Sequence, residues 1–245
     1  MTMGTSVDDN VRVGVIVSAL AEWKTVRAYY HEADLHTSPF GQFFTPRLGD
    51  ISCILFHGGW GKVSAAAGTQ YVIDRWHPEL ILNIGTCGGL AGQITTGEVF
   101  LANETLIYDI YERMNDPMET IHFYATSIDL SFLSEPLPHK VRIGRLLSAD
   151  QDIDPAMVAR LRGEYDAIAA DWESGAIAWT ATRNSTRVLI LRGVTDLVDP
   201  GGGELYDQGD FTAHAREVML PLLRALPDWI NCAIPKQTAN KKPEP

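Results

Sequence analysis

Ala170-Asp171-Trp172-Glu173-Ser174-Gly175-Ala176 is the stretch on which the fold turns. A short apolar run, Ala167 to Ala170, leads into it, and a small-residue helical run, Ser174 to Ala181, leads out. The pattern is a strand passing directly into a helix with carboxylates at the joint. In open α/β proteins such joints lie at the carboxyl edge of the sheet, where ligands bind. Two roles are open to the acids. Asp171 can cap the helix while Glu173 complements its dipole, or an acid can face a ligand. Acidic helix starts are common, so the segment alone favours capping.

The flanking chain repeats the pattern. Val11 to Ser18 (VRVGVIVS) is β-branched and almost uncharged, as in a strand buried on both faces. It ends at Ala19-Leu20-Ala21-Glu22, and a helical pattern follows through Trp23, Val26 and Tyr30. His31 to Gly41 reads as a polar connector. Its HEADLH is not the zinc motif HExxH, because the histidines are one residue too far apart to share a helix face, so no metal is expected. Ile51 to Phe56 is a second strand, followed by Gly58-Gly59-Trp60-Gly61-Lys62. A P-loop needs glycine where Phe56 stands and Ser or Thr where Val63 stands. A tight turn into a helix from Val63 to Trp76 is the better reading.

Leu80 to Ile84 predicts a third strand entering a glycine-rich turn, Gly85-Thr86-Cys87-Gly88-Gly89-Leu90. Cys87 breaks GxGxxG, which disfavours a dinucleotide. Gly97 to Asn103 predicts a fourth strand; Tyr108 to Thr126 fits either a loop over a site or a subunit contact. Val141 to Leu147 alternates like a strand and leads to the acidic loop Ser148 to Pro155, then a helix from Ala156 to Glu164. Val188 to Leu191 is the last predicted strand, ending in Arg192-Gly193-Val194-Thr195-Asp196. Asp199 to Gly203 reads as a mobile flap, and Phe211 to Ile230 as a closing amphipathic helix. No repeat, linker or composition break intervenes. The expectation is one α/β domain over 11–232, with disordered termini at 1–10 and 235–245.

Composition excludes several classes. The chain has 245 residues, 45% hydrophobic and 9% aromatic, in the globular range. Its net charge of −11 argues against nucleic-acid or anionic-membrane binding, which need basic surfaces. No apolar run approaches the about 18–20 residues of a membrane helix. The N-terminus lacks a signal-peptide pattern. Three cysteines, Cys53, Cys87 and Cys232, form no disulfide framework. A reducing, cytoplasmic setting is expected.

Glu22, Glu173 and Asp196 each fall just beyond a predicted strand, and such edges can converge on one cleft. A carboxylate triplet with an Arg nearby suits cleavage through an oxocarbenium-like transition state: one acid activates water, one binds sugar hydroxyls, one protonates the leaving group.

Five segments in order carry a resemblance: Gly14-Val15-Ile16 with Ala21-Glu22, Gly59 to Ala66 (GWGKVSAA), Asn83 to Gly89 (NIGTCGG), Asp171 to Ala178 (DWESGAIA) and Arg192 to Asp196 (RGVTD). Together they resemble the 5′-methylthioadenosine/S-adenosylhomocysteine nucleosidases of the purine nucleoside phosphorylase superfamily, with GTCGG and GVTDLVD looking closest to the plant-type branch. The resemblance spans nearly the whole chain. It implies a single-domain, three-layer α/β/α fold around a twisted, mixed, barrel-like sheet, a homodimer, and no metal or organic cofactor. It also implies roles. Glu22 would be the base on the attacking water, which Arg192 and Thr86 help hold. Glu173 would bind the ribose hydroxyls and Asp196 would protonate purine N7. Ile153 would meet the purine through its backbone, and Tyr206 would approach the 5′ substituent.

A phosphorolytic enzyme must bind a dianion. Related phosphorylases have an Arg where this chain has Asn83, and a basic glycine-rich loop where it has Ala19 to Glu22, so hydrolysis is expected. Two positions depart from the family pattern. Trp172 stands where Met is usual, and Asp152 lies where an apolar group stacks on the purine. They leave room for another 5′-modified nucleoside, futalosine-type or adenosyl-adduct. A phosphorylase and a non-catalytic nucleoside-binding protein are the remaining alternatives.

Overall fold

The β-branched start of the chain becomes β1 (Val13–Val17), buried at every position as its uncharged sequence requires. The computed structural model describes residues 10–206 and 210–234; the expected disordered termini, Asn10 apart, lie outside the described residues. After β1 come α1 (Leu20–Tyr29), β2 (His36–Ser38), β3 (Gly41–Phe44), β4 (Arg47–Leu48), β5 (Ile51–His57) and α2 (Gly61–Trp76). The middle of the chain forms β6 (Leu80–Leu90), β7 (Val99–Ile107), α3 (Pro117–Phe123), β8 (Thr126–Ser127) and β9 (Val141–Ser148). A 3-10 turn (Pro155–Met157) precedes α4 (Val158–Gly163), β10 (Ala167–Asp171), α5 (Ser174–Arg183), β11 (Arg187–Asp199), β12 (Gly202–Gly203) and α6 (Phe211–Ala233).

β6 pairs in parallel with both β1 and β11, β11 runs antiparallel to β7, and β9 lies parallel between β7 and β10. β10 then returns antiparallel to β6, which closes β6-β11-β7-β9-β10 into a barrel. β1, β5, β3 and β2 continue from it as an open wing. One face of the sheet packs on α2 and α5 through Val72, Ile73, Trp76, Ile177 and Ala181. The other packs on α1 and α6 through Trp23, Val26, Met219, Leu222 and Trp229. The layers are therefore α/β/α around a mixed, barrel-like sheet, as expected. Among the described residues no helix is long and apolar enough to cross a membrane.

Packing outweighs local cost in α6. Pro221 and Pro227 lie inside it, each opposing the helix by about 3 kcal/mol. Its buried Met219, Leu222, Leu223, Leu226, Trp229 and Ile230 each contribute about 1.5–3 kcal/mol on burial, so the apolar face wins.

Several predicted boundaries are corrected. Gly85 to Leu90 is not a turn but the second half of β6, because glycine there admits close neighbours rather than a bend. The last strand continues past Leu191 to Asp199, so Asp196 lies within β11. Asp199 to Gly203 folds into a hairpin, Val198 pairing with Gly203 and Asp199 with Gly202. Part of the polar connector forms β2, paired with β3. The helix predicted from Ala156 is split, Asp154 and Pro155 starting a 3-10 turn before α4.

Candidate active site

The acids of the β10–α5 joint have different partners. Asp171 Oδ1 accepts the N–H of Ser174, the first residue of α5, at 3.2 Å, while the N-cap position falls to Glu173, whose side chain makes no capping bond. Glu173 turns instead toward α2, its Oε1 accepting the Gly61 N–H at 3.0 Å. Gly61 has φ +77°, which favours glycine, and a Cβ there would stand 2.8 Å from Asp150 Oδ1.

Asp171 also anchors a guanidinium. Arg192 is wholly buried, and its Nη2 lies 2.7 Å from Asp171 Oδ2, Asn83 Oδ1 and Ser174 Oγ. Ser148 Oγ donates to Asp171 Oδ1 at 2.6 Å and accepts the Gly175 N–H at 2.8 Å, while Asn83 Nδ2 donates to the Ile16 carbonyl at 2.9 Å. Such a network fixes the guanidinium plane. Nη1 is the exception: it is buried, has no hydrogen-bond partner among the described residues, and stands 3.8 Å from Glu22 Oε1. Gly85 makes the approach possible, since a Cβ there would sit 1.8 Å from Nη1 and 2.7 Å from Glu22 Oε1.

Glu22 sits in the first turn of α1, where its Oε2 accepts the Ala19 N–H at 3.0 Å. Oε1 accepts the Thr86 N–H at 2.6 Å and the Thr86 hydroxyl at 2.8 Å. Glu22, Thr86, Arg192 and Glu173 are thus brought to one place. Buried Cys87 beside them feels the charges of Arg192, Asp171, Asp196 and Glu22 together.

Asp196 is aimed by an irregularity. The β11–β6 register shifts between Val194 and Asp196, a bulge of the kind that redirects side chains near sites. The Thr195 hydroxyl donates to Asp196 Oδ1 at 2.6 Å. Asp196 pairs across the sheet with Gly88, against whose bare Cα the Ile153 side chain packs. The Ile153 carbonyl accepts the Tyr206 hydroxyl at 2.6 Å, and the Tyr206 ring lies over Gly203. Asp152 is exposed, yet its charge reaches Asp196 and Tyr206; Trp172 is half-buried between Asp171 and Glu173.

Negative charge is in excess here. Burial, reinforced by repulsion from Asp171, pushes the Glu173 carboxyl up to about 8, with Arg192 opposing. Burial likewise raises Asp196, the Thr195 hydroxyl opposing and Glu204 adding to the rise. Burial works against the Arg192 charge, but Asp171 and Glu22 outweigh it and hold the guanidinium protonated. Such a site favours a cation that develops between the carboxylates and disfavours a dianion.

Sequence reasoning missed the Arg192 cradle of Asp171, Ser174 and Asn83, and the support that Ser148 gives Asp171. Polar residues closing or interrupting apolar runs were the available signal, because buried polar groups require partners.

A family model described as the phosphorylase superfamily matches residues 12–226. The chain belongs to that superfamily. It is 28% identical over 201 residues to the 5′-methylthioadenosine/S-adenosylhomocysteine nucleosidase of Maridesulfovibrio salexigens, covering 76% of this chain and 87% of the relative. It is 24% identical over 230 residues to the enzyme of the same name from Bacillus subtilis, covering 88% and 100%. A solved Helicobacter pylori nucleosidase of that name, holding butyl-thio-DADMe-Immucillin-A, has a TM-score of 0.74 at 16% identity over 89% of this chain and 98% of its own. The S. pneumoniae counterpart, with the transition-state inhibitor MT-ImmA, has a TM-score of 0.72 at 17% identity over 91% and 100%.

Proposed function

We propose that this protein hydrolyses the N-glycosidic bond of 5′-methylthioadenosine, S-adenosylhomocysteine or both, releasing adenine and the 5-thioribose product. The observation that carries the reading is the 3.8 Å gap between Glu22 Oε1 and Arg192 Nη1, which has no hydrogen-bond partner among the described residues. A donor and a carboxylate at that separation suit a bridging water. Glu22 takes its proton as the water attacks C1′, and Thr86 orients Glu22 through both of its bonds. Glu173 receives the ribose hydroxyls, and the surrounding carboxylates stabilise positive charge on the sugar. Asp196, raised by burial, donates its proton to purine N7 while Ile153 meets the base edge. The acids supply both proton transfers, so the reaction needs no metal or organic cofactor.

Phosphate is disfavoured as nucleophile, because a dianion there would face the buried carboxylates of Glu22 and Asp171, with Arg192 already paired to Asp171. Replacing Asp196 by Asn removes leaving-group protonation, and turnover falls about 10²–10⁴-fold. Near-normal turnover in that variant, measured as adenine release, contradicts the assignment.

Residues 11–232 act as one catalytic unit in this reading, and a homodimer is its working form. Exposed Val63 lines a cavity of about 410 Å³ together with Ile107, Ile110, Tyr124 and Trp179, and Tyr111, Met114 and Phe123 are further exposed apolar side chains. An apolar patch of that kind suits a subunit contact. The cysteine usage supports a cytoplasmic setting. Placement in the plant-type branch rests on GTCGG and GVTDLVD alone, whereas the relatives named above are bacterial. Trp172 and Asp152 favour a second reading, a nucleosidase for another 5′-modified purine nucleoside. A substrate panel separates the two.

A further inference from the structure

Gly61 and Lys62 begin α2, and their successive amides reach different acids. The Gly61 N–H donates to Glu173 Oε1 at 3.0 Å, and the Lys62 N–H donates to Asp150 Oδ1 at 2.8 Å. The Lys62 ammonium then turns back to the same region, pairing with Asp109 Oδ2 and standing 3.4 Å from Asp150 Oδ2. The Asp150 N–H donates to Asp109 Oδ2 at 2.9 Å and closes the ring. Three separate segments are tied together: the start of α2, the residues just after β7, and the loop after β9. Lys62 and Asp109 are largely shielded from solvent, with side-chain exposures of 21% and 17%. The Asp150 carboxylate lies against the Cα of Gly61, so the ring bears directly on the peptide that faces Glu173.

We propose that Lys62 is a positioning residue: with Asp109 and Asp150 it holds the Gly61 amide against Glu173 and so fixes how Glu173 presents itself to the ribose hydroxyls. The inference rests on the reading of Glu173 as the ribose-binding acid. A carboxylate held through one oxygen offers the other in a defined direction. When the amide shifts, that direction is lost, and small misplacements of binding groups are costly in rate. Stabilisation of the fold alone would affect every substrate equally. Positioning through Glu173 affects only substrates that carry the hydroxyls.

The test compares kcat/KM for 5′-methylthioadenosine with its 2′-deoxy and 3′-deoxy analogues in wild type, Lys62→Met, Lys62→Arg, Asp109→Asn and Glu173→Gln. Lys62→Met and Asp109→Asn are expected to lose about tenfold on the ribonucleoside and much less on the deoxy analogues, with Lys62→Arg retaining the preference. Equal losses on all substrates, or none, overturn the inference and leave the reading of Glu173 intact. An undiminished ribose preference in Glu173→Gln overturns that reading, and the inference with it. Asp109→Asn and Lys62→Arg keep the test decisive if Lys62→Met fails to fold.

Discussion

Glu173 is an acid buried beside another acid, and its ionisation is linked to stability. Its carboxyl moves from the ordinary 4.5 to about 8, burial being the main cause and Asp171 the next. Below pH about 4.5 the group is protonated in folded and unfolded chains alike. Between about 4.5 and about 8 the unfolded chain has released the proton and the native chain retains it, so raising the pH favours unfolding. Glu173→Gln has no charge to bury. Its thermal midpoint relative to wild type should therefore rise from about pH 5 to about pH 9. A pH-independent difference contradicts the burial of this charge. The same residue shows why the site was only partly legible. Glu173 and Asp171 look alike in the sequence, and both read there as acids serving the start of α5. What separates them is the Gly61 amide, over a hundred positions away in the chain. Arg192 was legible as a candidate, but its buried partners are non-local and left little local pattern.

The strand-to-helix joints were readable because an apolar run meeting a helical period gives two signals at once. That holds for β1 into α1, β5 into α2 and β10 into α5. The second half of β6 was not readable, since glycines there resemble a turn until the atoms that crowd them are known. Asp196 was expected past a strand end and lies inside β11, because a bulge leaves no mark in the local composition. Gly85 gives the element-scale prediction. A methyl group there would occupy the space of Arg192 Nη1 and crowd Glu22 Oε1. Gly85→Ala should destabilise the fold by about 1–3 kcal/mol, as overpacking does, and abolish most adenine release. Urea unfolding and turnover measure the two effects. A variant that keeps wild-type stability and rate contradicts the packing described for Glu22 and Arg192.

At the scale of the whole molecule, barrel closure brings distant segments to one end of the sheet. Glu22 follows β1, Thr86 lies in β6, Glu173 precedes α5, and Arg192 lies in β11. The ring of strands makes them neighbours. The chain carries a formal charge of −11, yet Val63, 83% exposed, lines the 410 Å³ cavity. If that patch is a subunit contact, Val63→Asp should convert a dimer to monomers in analytical ultracentrifugation. A persistent dimer in the variant, or a monomeric wild type, contradicts it. The account as a whole is tested most directly by adenine release from 5′-methylthioadenosine with and without phosphate. It predicts equal rates in both conditions and a free sugar product. Release that requires phosphate and yields a sugar phosphate, or no release at all, contradicts it.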